Sequence, residues 1–231
     1  MKNKISIIIP AYYDENITIK NVKDLINITK NIELIIVYKG NRFSYLKEKI
    51  DIFDIDIKLI EFLGVSTRSK LMNLGAKNTN GDILLFLHND TILPKSYHEI
   101  LSNLDITKYN YGGFYKQFLP NNLLLEINSF ITNIRVKYFG SLLGDNSIFV
   151  TRELFFKIGG FPEISLMEDV EISKKLNKSG KIFIIKNKTI TSSVKFLKNG
   201  TTKTLIFMLY LRILYKLGVK TELIKEKYSR L

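Results

Sequence analysis

Three observations in the 231-residue sequence predict an α/β fold, a mixed and mainly parallel sheet flanked by helices in a single domain. Short β-branched runs alternate with segments whose apolar residues recur at helical spacing. The connections between them are short, as in a doubly wound sheet. All four prolines, Pro10, Pro94, Pro120 and Pro162, fall at the ends of the elements so drawn, where a missing N–H costs least.

Taken in order, Ile5–Ile9 is a continuous apolar run, as expected of a strand buried on both faces. Ile17–Thr29 carries Val22, Leu25, Ile26 and Thr29 on one helical face. Glu33–Val37 reads as a second buried strand and Ile55–Glu61 as a third. Ser69–Asn78 reads as a short helix, and Gly81-Asp82 turns the chain into a fourth strand, Ile83–Leu87. Tyr111–Phe118 is a strand that Pro120 ends. Leu123–Phe139 places Ile127, Phe130, Ile131, Ile134 and Tyr138 at helical spacing. Ile148–Val150 is a short strand, Arg152–Ile158 a helix closed by Gly159-Gly160, Met167–Asn177 a helix, and Ile182–Ile185 a strand.

Composition excludes several classes. With 45% hydrophobic and 25% charged residues the chain is globular, not disordered. It has no cysteine, which rules out disulfides, thiolate metal sites and a cysteine nucleophile. No apolar run approaches the ~18–20 residues of a membrane span. The run after Met1-Lys2-Asn3-Lys4 is too short for a signal-peptide core, so a cytoplasmic location is expected. The net charge of +13 is segregated: Glu171 to Leu231 holds 15 Lys and Arg against three acids, a net +12. A basic end of this kind points to an anionic membrane surface or a phosphorylated acceptor. Nucleic acid is not expected, since no aromatic-basic recognition module accompanies the charge.

Three polar clusters follow strands, where an α/β site belongs. Pro10-Ala11-Tyr12-Tyr13-Asp14-Glu15 reads either as a nucleotide-contact loop or as a helix start with Asp14 or Glu15 at its dipole. His88-Asn89-Asp90-Thr91 reads as a carboxylate for a divalent cation, with His88 as neighbour or second ligand, or as a simple turn. Met167-Glu168-Asp169-Val170-Glu171 offers Asp169 as a general base, or only acids complementing a helix N-terminus.

Order and spacing add what no cluster gives alone. Ile5–Pro10 with Glu15, then Asn73-Leu74-Gly75-Ala76 leading to Gly81–Thr91, then Gly159-Gly160-Phe161-Pro162 before Glu168-Asp169, resemble the family 2 glycosyltransferases of GT-A fold over nearly the whole chain. More narrowly, Phe86–Thr91, Gly144–Val150 and Leu166–Glu171 resemble a small bacterial subfamily labelled selenodomain-associated, or transferase 2.

The resemblance implies a nucleotide-sugar-binding half over residues 1–91, an acceptor half over 92–200 and a basic amphipathic helical segment over 201–231. It implies that Asp90 ends a D-x-D-like metal motif, with Asn89 inside it and His88 where the first acid usually stands. Asp169 matches the catalytic base of the E-D pair begun by Glu168. Pro10, Tyr12 and Glu15 match the loop near the nucleotide, Arg68 can reach the diphosphate, and Gly144-Asp145 would line the acceptor side. The chain departs from the family at Val37-Tyr38-Lys39-Gly40-Asn41, where Tyr38 replaces an expected aspartate and is placed to stack on the base.

The implied activity is inverting sugar transfer from a UDP- or GDP-sugar, aided by Mn2+ or Mg2+, to a lipid-linked or phosphorylated acceptor. The alternatives are a non-catalytic nucleotide-sugar binder and a nucleotidyltransferase; the latter calls for a glycine-rich basic loop after the first strand, which Tyr12–Glu15 is not. Thr202–Gly218 reads either as a closing helix with Arg212 and Lys216 on its solvent face, or as an interfacial helix with Phe207, Tyr210 and Leu214 towards lipid.

Overall fold

The computed structural model describes residues 2–29, 31–53 and 55–230. The first half comprises β1 (Ile5–Tyr12), α1 (Glu15–Ile26), β2 (Glu33–Lys39), α2 (Phe43–Ile50), β3 (Asp56–Glu61), α3 (Arg68–Lys77) and β4 (Ile83–Phe86). It continues through β5 (Thr91–Ile92), α4 (Tyr97–Ser102), β6 (Tyr111–Leu119) and α5 (Leu123–Phe139). A 3-10 turn, Gly144–Asn146, leads to β7 (Phe149–Thr151), α6 (Arg152–Lys157), α7 (Glu168–Ser179) and β8 (Ile182–Ser192). Three helices close the chain: α8 (Val194–Asn199), α9 (Thr201–Lys216) and α10 (Thr221–Ser229).

Among the described residues the strands form one sheet in the order β3-β2-β1-β4-β7-β6-β8-β5. The first four are parallel; β7 then runs antiparallel between β4 and β6, β6 and β8 are parallel, and β5 lies antiparallel at the far edge. Period-two alternation splits β1 between two cores. Ile5, Ile7 and Ile9 face α1 and α2, whereas Ile8 joins Leu71, Met72 and Phe155 under α3 and α6.

Several boundaries move. Pro10 lies within β1, not at its end. The carbonyl of Ile8 accepts from Leu87 N, so Pro10, two residues on, faces the same way but beyond the end of β4. There its missing N–H leaves no ladder partner unpaired. β8 extends to Ser192 because the ladder with β6 resumes after a register shift, Phe114 pairing with Ile185 and Tyr115 with Lys188. The polar Lys186-Asn187-Lys188 stretch hides this continuation in the sequence. α5 is also unlike its expected role. The periodic stripe that marks it as a helix is its exposed face, while Leu125, Ser129, Thr132 and Val136 are buried.

The amino ends of β1 and β2 are joined by a buried polar cluster. Glu33, 5% exposed, accepts from the Ser6 hydroxyl and from Asn80 N (2.8 Å) and Nδ2 (3.0 Å), while Gly81 N donates to Ser6 Oγ (2.8 Å). Desolvation pushes the Glu33 carboxyl upward, but the donors from Ser6 and Asn80, with Lys4 nearby, outweigh it and hold the group below its ordinary value. Glu33→Ala is expected to cost about 3 kcal/mol in urea unfolding, since it orphans several buried donors. A carboxyl depressed in the folded state stabilises above its unfolded pKa and loses that contribution as pH falls through its folded value. The gap between wild type and variant should therefore narrow in acid.

Candidate active site

A cleft of about 790 Å³ opens along the carboxyl ends of β1 and β4 and passes beneath α9. It brings together Pro10, Tyr12, Arg68, His88, Asn89, Asp90, Asp145, Glu168 and Asp169, residues taken from every sequence cluster. Gly144 adjoins it through His88.

The first loop starts a helix and also borders the cleft. Asp14 caps α1, its Oδ1 accepting from Ile17 N at 3.2 Å, and also lines the cleft. The Tyr12 hydroxyl is pushed up to about 12, chiefly by burial, and so remains protonated at neutral pH. Glu15 and Tyr38 do not join the site. Tyr38 is fully buried, its hydroxyl donating to Glu15 and accepting from Arg42 N, and neither side chain lines the cleft. With its ring in the core Tyr38 has no free face for a base, which removes the stacking role expected from the sequence.

The turn after β4 is braced by a residue the sequence did not single out. Asn21 of α1 donates from Nδ2 to the carbonyls of Asn89 (3.1 Å) and His88 (3.4 Å). Asp90 carries its carboxylate on the open side of that turn; surrounding protein raises its pKa against the opposing pull of Arg68. His88 is held down to about 3 by burial and by Arg68, so its imidazole is neutral at any physiological pH. The ring packs against the 3-10 turn: a Cβ on Gly144 would fall 2.0 Å from His88 Cε1. Only glycine permits that approach.

The acids of α7 reach the cleft because Met167 adopts φ 70° just before the helix, a left-handed conformation that costs a non-glycine residue about 1 kcal/mol. Asp169 Oδ2 then accepts from Gly144 N at 3.0 Å, and Oδ1 from Val170 N at 2.8 Å. Glu168, 3% exposed, pairs with Arg68 Nη1 at 3.3 Å. Burial raises the Glu168 pKa, Arg68 opposing and Asp169 reinforcing. Desolvation lowers that of Arg68, but Glu168, Asp169 and Asp90 outweigh it.

Two further contacts were not legible from motifs. Asn73 exchanges a pair of hydrogen bonds with the backbone of Phe161, 2.8 and 3.0 Å. That pair joins the helix carrying Arg68 to the Gly-Gly-Phe-Pro turn and so to the acids beyond it; a Cβ on Gly160 (φ 64°) would press on Asn73 Oδ1 at 2.8 Å. The second is Lys116, 4% exposed, whose ammonium pairs with Asp145. Burial alone would raise the Asp145 carboxyl, but Lys116 holds it below the usual range.

The C-terminal helices form the other wall. α9 lies over the cleft, and Arg212 lines it instead of facing solvent as Lys216 does. Tyr228 of α10 also lines it. Tyr215 donates to Glu171 at 2.5 Å, fixing α9 to α7.

Against known proteins, the family described as Glycosyl transferase family 2 matches residues 6–148, more than half of the chain. No curated protein matches it. Among solved structures, S. aureus TarS 1-349 is 17% identical with a TM-score of 0.65, covering 82% of this chain and 60% of that one. The same TarS fragment in complex with UDP-GlcNAc is 18% identical at a TM-score of 0.64, covering 82% and 58%. A mannosyltransferase, PcManGT from Pyrobaculum calidifontis in complex with GDP-Man and Mn2+, is 14% identical at 0.65, covering 82% and 57%. At such identities the likeness is one of fold. The chain spans about three fifths of the length of these three.

Proposed function

Starting from the chain's membership of glycosyl transferase family 2, and from the GT-A fold it shares with glycosyltransferases, we propose that it transfers a sugar with inversion from a nucleoside diphosphate sugar to an acceptor hydroxyl. One observation carries the reading: Arg68, Asp90, Glu168 and Asp169, separated by up to 101 positions in sequence, share one cleft at the carboxyl ends of the strands.

Asp169 is the base. It takes the acceptor's proton as that oxygen forms a bond to the anomeric carbon from the face opposite the leaving group. The bond from that carbon to the diphosphate breaks, and the nucleoside diphosphate departs with the electron pair. Glu168 holds Arg68 in place through their ion pair, and Arg68 faces the charge that develops on the diphosphate. Pro10 and Tyr12 flank the nucleotide, and the Lys116–Asp145 pair borders the acceptor side together with Gly144.

A divalent cation fits the donor set. Among the described residues no three His, Cys, Asp or Glu side chains gather into a cage. A single open carboxylate, Asp90, beside a neutral imidazole, His88, suits Mg2+ or Mn2+, which are held by one or two carboxylates plus substrate phosphates. When bound, the ion would neutralise the departing diphosphate. The Mn2+ and nucleotide sugars in the related structures support this donor class.

Location follows from charge. No helix of the described residues is long and apolar enough to cross a membrane. The +12 of the last 61 residues favours peripheral contact with an anionic cytoplasmic leaflet, worth roughly 1 kcal/mol per Lys or Arg near the surface.

A thermal-shift panel of UDP- and GDP-sugars, with and without Mn2+, tests the donor reading. One sugar class should raise the melting temperature; at 100-fold excess over Kd a ligand adds about 2.7 kcal/mol. A flat response across the panel in Mn2+ sinks the proposal.

A further inference from the structure

Two arginines between α5 and α9 lack partners. Arg135 Nε and Nη2 are buried with no hydrogen bond. Arg212 lines the cleft, and among the described residues neither side chain makes a hydrogen bond or ion pair. The helices start together, Asn122 Nδ2 donating to Thr201 Oγ1 at 3.0 Å, and touch one another. Arg135 lies thirteen residues beyond Asn122 and Arg212 eleven beyond Thr201, a rise of ~20 and ~17 Å. Each arginine thus stands at a similar height along its own helix. Their mutual charge shows in Arg135, whose pKa is lowered first by desolvation and then by Arg212, with Asp145 and Asp169 opposing. Among the described residues neither acid hydrogen-bonds to it: Asp145 Oδ2 is bound to Lys116 while its buried Oδ1 stays unpaired, and Asp169 accepts from two backbone N–H groups. Two neighbouring guanidiniums with open donors match the oxygens of a phosphate.

Beside them runs an unusual surface. On α5, Leu123, Ile127, Phe130, Ile134 and Tyr138 are exposed, Phe130 at 65%. On α9, Ile206, Leu209 and Ile213 are exposed at the same helical spacing, as is Leu217 just past its end. Ile131, Ile206 and Leu209 belong both to this surface and to the cleft lining, so the apolar face is continuous with the cavity that holds Asp169. A patch of this extent on a charged protein marks a binding surface. Lys198, Lys203, Lys227 and Arg230 line a basic recess at the same C-terminal helices.

We propose that Arg135 and Arg212 bind the phosphate of a lipid acceptor whose apolar chain lies along α5 and α9 and whose hydroxyl-bearing head reaches Asp169. This rests on the glycosyltransferase reading and specifies its acceptor class. The proposal accounts for the cleft's two chemistries: carboxylates and Arg68 where the donor sits, Arg212 and aliphatic side chains, with Arg135 behind them, where the acceptor enters.

The test uses the full chain with neutral phosphatidylcholine vesicles carrying hexadecyl phosphate, a probe with the chain and the phosphate but no hydroxyl to glycosylate. Matched vesicles carry hexadecanol, or hexadecanoate at equal surface charge as an anionic lipid without phosphate, and inorganic phosphate is titrated alone. Hexadecyl phosphate vesicles should bind at least about ten-fold more tightly than both controls, the ~1.4 kcal/mol expected of one charge-assisted contact. Arg135→Gln with Arg212→Gln should abolish that preference. Phe130→Glu, at an exposed site that leaves the core untouched, should weaken vesicle binding and spare the response to nucleotide sugar.

Equal binding to hexadecanol vesicles overturns the phosphate site. Equal binding to hexadecanoate vesicles reduces it to a general anionic surface, and so overturns it too. An arginine-dependent response to inorganic phosphate with none to vesicles overturns the lipid assignment. Donor-induced stabilisation, measured without acceptor, separates the two levels: if it persists while the arginine variants bind hexadecyl phosphate normally, only the acceptor proposal fails.

Discussion

Asp169→Asn is expected to lower sugar transfer by about 10²–10⁴-fold, the usual contribution of a positioned general base, while donor affinity stays near that of the wild type. The amide keeps the shape of the carboxylate and can still accept one backbone hydrogen bond, but it has no capacity to take the acceptor's proton. Only Oδ1 of the carboxylate meets an amide of its own helix, that of Val170. Its Oδ2 accepts from Gly144 of the 3-10 turn, and that contact aims it across the cleft. Single-turnover transfer and donor binding by calorimetry separate the roles. Normal turnover in the variant would return Asp169 to the role of an acid near a helix N-terminus.

Asp90→Asn should remove the metal-dependent part of UDP or GDP binding and leave the fold intact. The turn that carries Asp90 is held by Asn21 through backbone carbonyls, so the substitution deletes a charge without releasing the loop. A cation neutralising a diphosphate is worth several kcal/mol, on the order of 10²–10⁴-fold in affinity or rate. Calorimetry with and without Mn2+ reads the difference, and an unchanged Mn2+-dependent affinity would overturn the assignment. His88→Ala should cost less, because its ring is also packing against Gly144.

The sheet and the three clusters were legible because each rests on local signals. Apolar runs of period two or none mark strands, and acids just after them mark the ends where ligands bind. What escaped was set by distance in the chain. Nothing near Asn73 signals that it pairs with Phe161, and nothing near Lys116 signals Asp145, because both pairs form only when the sheet closes. Tyr38 was misplaced for a related reason: its position after β2 was readable, but whether its ring faces the core or the cleft depends on Glu15 of α1. Arg135 was overlooked beside the apolar stripe of its own helix. Periodicity identifies that stripe without saying which side is wet.

The strand order also sets when the site can exist. The turn at His88–Asp90 leaves β4 in the middle of the sheet and ends in β5 at its far edge, where Ser192 N closes on the carbonyl of Asp90 at 3.2 Å. A chain emerging from the ribosome can assemble β3-β2-β1-β4 from its first 86 residues, all through parallel neighbours. It cannot finish the Asp90 loop until more than a hundred further residues have been made. Such long-range closure is slow, and intermediates that wait for it expose apolar edges. Closure of the Asp90 loop is thus a late event in the folding of this protein, and a nascent chain ending before β8 would lack the strand against which β5 pairs.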